Sequence, residues 1–333
     1  MQIDVGGNRL HDLRSLGQHV WLDGIYRGML NPTQRRLFGG GSPFSHLIRS
    51  DGICGVGFEH LGIEDIQRAA DQLRRVYEHT DGHDGYASVA LSTDFVRDAD
   101  GAETEARRLW DVIGKPNIMI KVPATDAGLL AMRRLISAGL NVDAAFIFGA
   151  RRYRQVIDAF LVGLEDRLAA SQPIEHVASV ASIFVSRIDS VVDQQLAAIQ
   201  PPAKALRAMR LQGRSAIAVA RFAYQTYKSV IASPRWQFLA AHRAQPQRLR
   251  WACTHPDDSR CSDVKYVNAL VGRDTVTTMS MNTLDAYRDH GSLAPTLERN
   301  LLDVCDVFAE LGCLGVDLDR VSSELERESA HCL

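Results

Sequence analysis

The sequence predicts an α/β fold, a (β/α)8 barrel of the TIM type formed as one domain over residues 1–333. Two observations carry that prediction. Eight short apolar runs recur along the chain, and most are separated by stretches of helical periodicity; this alternation specifies a parallel sheet flanked by helices. The chain is also the right size, since 333 residues with 46 % hydrophobic and 23 % charged side chains suit one large core.

The strands are expected at His19–Asp23, Ile53–Phe58, Tyr86–Leu91, Asn117–Val122, Val142–Phe148, His176–Val185, Leu249–Cys253 and Thr275–Met279. Helical patterns run between them at Gly62–Glu78, Ala102–Ile113, Ala127–Ala138, Ala150–Ala170, Ser190–Ile199 and Gly213–Ser233, and again after the last strand at Leu293–Leu311. Gln200-Pro201-Pro202 is too short a linker to divide the chain into two domains.

Composition narrows the function. The formal net charge is −2 and no run of lysines and arginines exceeds a pair, so nothing marks a nucleic-acid or anionic-membrane surface. No apolar stretch approaches the roughly 18–20 residues that span a bilayer, and the first residues lack a signal-peptide core, so a cytoplasmic location is expected. The six cysteines have no zinc-site spacing and are expected to be reduced and mostly buried. His79 and His83, four apart in a turn-rich stretch, lack a third ligand, and no metal is expected there.

The most informative heptapeptide is Met119–Thr125, because Lys121 closes an otherwise apolar strand. An ammonium in a barrel interior either finds a partner or loses its proton, and a neutral amine attacks carbonyls. In barrels of this kind chemistry gathers where strands end. Asp23 ends the first strand, Lys121 lies near the end of the fourth, and Ser182, Phe184 and Arg187 cluster at the end of the sixth. A lysine facing an aspartate across the mouth suits Schiff-base chemistry on a ketone.

From about Gln18 to Leu325 the chain resembles the transaldolase family, in its longer bacterial and plant-type branch. The likeness rests on Trp21-Leu22-Asp23, on residues 51–56, 84–86 and 108–110, on Pro116–Thr125 and on Val177–Asp189. It continues through Ala216–Gln225, Tyr266–Gly272 with Asp274-Thr275-Val276, and His290-Gly291. The resemblance implies a class I aldolase barrel that moves a dihydroxyacetone unit between sugar phosphates. Lys121 matches the Schiff-base lysine, and Asp23 the aspartate that takes and returns the proton of the cleaved hydroxyl. Ser182 and Phe184 match residues that line the substrate, and Arg187 a phosphate-binding arginine, a role that suits its planar guanidinium.

The departures are equally specific. Ala90 stands where the family has a glutamate that works with the catalytic water, and Ala145 where it has a threonine that holds that water. Glu59 and Asp143 occupy former amide positions, and His60 follows Glu59. After the seventh strand the family's phosphate-site lysine is lost, and Asp257 and Asp258 arrive; they would repel a phosphate dianion unless they point away or Arg260 and Lys265 compensate. After the eighth strand, Thr278-Met279-Ser280 replaces Thr-Met-Pro. One reading makes Glu59 and Asp143 the new acid/base partners of Lys121, with His60 lining the substrate. In another they pair with His60 or with arginines and fill space. The expected function is aldol-type cleavage, formation or dihydroxyacetone transfer on a sugar-like carbonyl compound, altered from ordinary pentose-phosphate transaldolase, which is expected to be weak or absent. The alternative is an inactive barrel kept for binding or regulation. The expected partner is a small carbonyl or sugar (phosphate) substrate; no cofactor, nucleic acid or membrane is expected, and an oligomer is compatible.

Overall fold

A computed structural model describes residues 5–25, 53–58, 63–91, 95, 97–200 and 202–329. Eight parallel strands close into a barrel in chain order: β1 (Gln18–Ile25), β2 (Ile53–Phe58), β3 (Tyr86–Ala90), β4 (Ile118–Pro123), β5 (Val142–Ile147), β6 (Ser179–Phe184), β7 (Arg248–Ala252) and β8 (Thr275–Met279). The ring is completed by β1 against β8, with Trp21 beside Thr278. Every strand expected from the apolar runs is present, with ends shifted by up to three residues.

The helices are α1 (Val5–Ser15), α2 (Ile63–His79), α3 (Ala99–Ile113), α4 (Asp126–Ala138), α5 (Ala150–Ala169), α6 (Val185–Ala197), α7 (Pro202–Leu211), α8 (Ser215–Ile231), α9 (Pro234–Ala241), α10 (Lys265–Ala269), α11 (Met281–His290), α12 (Leu301–Cys313) and α13 (Leu318–Ser329). Two of the expected helices begin well away from the predicted position, and α1, α7, α9, α10, α11 and α13 have no counterpart among the expected ones. The helix expected from Ser190 begins at Val185, directly at the end of β6, and the one expected from Leu293 begins at Leu301. Pro202, expected in a linker, is instead the first residue of α7, where its missing N–H costs nothing. None of the helices among the described residues is long and apolar enough to cross a membrane.

Buried amides fix the strand starts. Asn117 donates to the carbonyls of Ala70 and Gly85 at 2.8 Å each, and Asn141 donates to Pro116 and Ile118 at 3.0 Å while accepting from the Ala178 amide. Gln18 binds the Leu270 carbonyl, and Gln247 the Ser179 hydroxyl. Buried donors engaged in this way specify register, because a slip by one residue would strand their N–H groups unpaired in the core.

Two apolar regions follow from the strand pleat. The large core lies between sheet and helices, where residues such as Ile118, Ile120 and Val122 of β4 face α4 and its neighbours. A smaller cluster of Trp21, Tyr86, Met119, Ala178, Val180 and Val276 fills the barrel interior. Below it, at the amino-terminal end, Asp84 is fully buried against Arg248 at 3.0 Å and also contacts His19. The expectation of mostly buried thiols is corrected in part: Cys305 and Cys313, on α12, are exposed, while Cys253 and Cys261 are half-buried. Amphipathic α12 turns its apolar face inward through Val304, Val307 and Leu311, which leaves the cysteines on the outer face.

Candidate active site

Lys121 is held by strand geometry. Its neighbours across the sheet are Ala90 of β3 and Asp143 of β5, so three inward positions of one row are alanine, lysine and aspartate. Lys121 is only 1 % exposed. The end of β4 is fixed in turn by α4, whose first turn is capped by Thr125: its hydroxyl accepts from the Gly128 amide at 3.0 Å.

Asp143 is completely buried, and its carboxylate is saturated with donors. Ser182 of β6 donates to Oδ1 at 2.6 Å, Ser88 of β3 donates to Oδ2 at 2.8 Å, and Arg250 of β7 forms an ion pair with Oδ2 at 2.9 Å. Arg250 is itself 1 % exposed, and its guanidinium lies 5.4 Å from the centroid of the Trp21 ring. A buried carboxylate with an arginine and two hydroxyls is what the cost of burying charge demands. Arg250 and Ser88 were not foreseen as site residues. Two arginines in the five-residue strand β7, Arg248 and Arg250, carry no local sign of their partners; the available clue was charged residues at alternate, inward positions of an otherwise apolar run.

The structure brings together Lys121, Asp143 and Ser182. Phe184 ends β6 and stacks on Phe146 with centroids 4.7 Å apart, while Phe148 packs at 6.0 Å. Phe146 adopts a φ of +61° at the irregularity in β5, where pairing with β6 shifts between Ala144 and Ile147. An aromatic residue in left-handed backbone stores strain, which native structures place near functional sites. Arg187 does not join the buried group. It sits in the first turn of α6 with its side chain 47 % exposed, 3.7 Å from Glu328 of α13. Asp23 lies within β1, with its side chain outside the described residues, and Glu59 and His60 lie wholly outside them.

The loop after β7 shows how its added acids are accommodated. Arg260 pairs with Asp258 at 2.8 Å and holds its carboxyl below the usual range, and Asp257 accepts from Ser190. Lys265 is committed to Asp189 at 3.0 Å rather than to the new acids. These residues, with Asp193, border a cavity of about 330 Å³ beside α6. Burial pushes the Asp193 carboxyl up to about 6, despite the hydrogen bond that it accepts from the Gly213 amide.

A closed parallel barrel with a buried lysine at the carboxyl end of its fourth strand is an aldolase-class barrel. Residues 54–331 match the transaldolase/fructose-6-phosphate aldolase family. Among similar proteins, the transaldolase of Parafrankia sp. (strain EAN1pec) is 39 % identical, the alignment covering 96 % of this chain and 92 % of that protein. The transaldolase of Thermobifida fusca (strain YX) is 38 % identical over 97 % and 93 % of the two chains, and that of Thiobacillus denitrificans (strain ATCC 25259 / T1) is 33 % identical over 96 % and 94 %. The chain therefore belongs to the transaldolase/fructose-6-phosphate aldolase family.

Proposed function

We propose that the chain is a Schiff-base enzyme that cleaves, forms or transfers across a carbon–carbon bond of a sugar-like ketose, and that its site has departed from that of ordinary pentose-phosphate transaldolase. The single observation that carries this reading is Lys121, buried on β4 in register with Asp143. The amine attacks the ketone carbon to give a carbinolamine. Asp143 accepts the proton from nitrogen and passes it to the hydroxyl, which leaves as water, and the imine so formed takes up a further proton from solvent to become the iminium. Asp23 then removes the proton of the hydroxyl on the far carbon of the bond to be broken, the carbon that becomes the aldehyde. The electrons of that bond move into the iminium, an aldehyde departs and an enamine remains on Lys121. Transfer runs these steps in reverse onto a second aldehyde, and water releases the product.

Within the same reading Glu59 is the second acid/base group, His60, Ser182 and Phe184 line the substrate, and Arg187 meets an anionic end at the rim. The departure is supported by Ala90 and Ala145. Ala90 is the direct strand neighbour of Lys121, and Ala145 pairs with Pro123, so one small apolar side chain lies beside the lysine and another one row further toward the carboxyl end. Neither can hold a water or carry a proton.

The test is reductive trapping. Borohydride added with fructose 6-phosphate or another ketose is expected to fix a mass adduct on the peptide containing Met119–Thr125, and Lys121→Ala is expected to abolish it. No adduct across a broad panel of phosphorylated and free ketoses would establish the binding-barrel alternative instead.

A further inference from the structure

Arg250 is the largest charged side chain among the fully buried described residues, and nothing in the proposed reaction yet uses it. Its Nη2 meets Asp143 at 2.9 Å, while Nε and Nη1 have no hydrogen-bond acceptor among the described residues. Asp143 is thus the acceptor that the described residues give this guanidinium. Its plane is backed by the indole of Trp21 on β1, an arrangement that steadies a cation from one side. Ser182, next to Arg250 in the β6–β7 register, holds the other carboxylate oxygen. The result is a polar floor that crosses the barrel from Ser88 on β3 through Asp143 on β5 and Ser182 on β6 to Arg250 on β7.

This floor lies where Asp143 must be aimed. A carboxylate one strand from Lys121 has rotational freedom about its side chain, and a proton carrier misplaced by about 1 Å loses much of its effect. Three donors from three strands remove that freedom.

We propose that Arg250 is a positioning residue of the Lys121 site, which holds Asp143 as an oriented carboxylate during imine formation. The assignment rests on the Schiff-base reading above and adds to it a residue that acts through Asp143 without touching the substrate.

The test measures the rate of borohydride trapping on Lys121 against fructose 6-phosphate concentration, by intact mass, in wild type, Asp143→Asn, Arg250→Met, the double variant and Arg250→Lys. Arg250→Met is expected to lower the maximal trapping rate at least tenfold and to leave the half-saturating concentration within about twofold, with Arg250→Lys recovering part of the rate. In the Asp143→Asn background the Arg250→Met change is expected to cost nothing further, because its effect runs through the missing carboxylate. Independent losses that multiply in the double variant, or a wild-type rate in Arg250→Met, would overturn the assignment while leaving the Schiff base intact. If Arg250→Met does not fold, Arg250→Lys against wild type and the double variant against Asp143→Asn supply the same comparison. If fructose 6-phosphate gives no adduct, the same series is run with whichever ketose of the panel traps on the wild type; absence of an adduct with every ketose of the panel would overturn the Schiff-base reading, and the role of Arg250 with it.

Discussion

Lys121 has a carboxylate on one side and a methyl group on the other, and the two neighbours make opposite statements about its chemistry. Asp143 can carry a proton; Ala90 cannot. If the dehydration of the carbinolamine depends on groups other than the family's glutamate and threonine, fructose 6-phosphate with erythrose 4-phosphate should turn over below about 1 per second, the low end of the usual enzyme range. Restoring both groups in Ala90→Glu/Ala145→Thr is expected to raise that turnover at least tenfold in a coupled assay. A wild-type rate of tens per second, or a double variant slower than wild type, would show that the alanines are not the deficit. The residues that the sequence made legible here are those of strong local grammar. A lysine in Met-Ile-Lys-Val-Pro and a serine in Ala-Ser-Ile-Phe announce themselves, whereas Ser88 and Arg250 matter only through a partner on another strand.

Individual elements were readable in proportion to how far one neighbour dictates their pattern. Strands buried on both faces are short apolar runs whatever their exact contacts, so all eight were found. Helix α1 contains Gly6-Gly7, α7 begins with a proline, and α9, α10 and α11 are ten residues or fewer; each lacks the sustained period that a longer amphipathic helix supplies. The junction of β4 and α4 shows what packing adds to such rules. Replacing a helical glycine by alanine ordinarily stabilises by about 0.5–1 kcal/mol. A Cβ on Gly128, however, would lie 1.8 Å from the Pro123 carbonyl oxygen, which is backbone and cannot swing aside. Gly128→Ala is therefore expected to destabilise the protein by about 1–3 kcal/mol, the usual scale of overpacking. It should also reduce imine trapping, because the strand end that must move carries Lys121. Denaturant unfolding that showed Gly128→Ala to be as stable as wild type would refute this.

On the scale of the whole molecule, the barrel is stoppered at its amino-terminal end by charge. Burial on its own would raise the pKa of Asp84, but the Arg248 guanidinium and His19 outweigh it and hold the carboxyl below its ordinary value. The linkage has a definite sign. A depressed folded-state pKa contributes stability that is present above the unfolded value, near 4, and is lost as pH falls through the folded value. Asp84→Asn is expected to cost about 3 kcal/mol at neutral pH, at the lower end for a broken buried pair because the His83 carbonyl still accepts from Arg248. Unfolding measured from pH 7 to pH 3 should show the gap between variant and wild type narrowing only below about pH 4. A gap that is constant throughout, or absent at pH 7, would contradict the assignment.

The closure of β1 on β8 also has a consequence in time. Gln18 bonds Thr275, a residue 257 positions later in the chain. On a ribosome that adds about 5–20 residues per second, the first strand waits roughly 10–50 s for its last neighbour to be synthesised. Throughout that interval the nascent chain presents an open β edge, already long enough to recruit a foreign strand, and the lysine chamber has no finished wall. The newborn protein must therefore be sheltered or kept unpaired until almost its whole length has emerged.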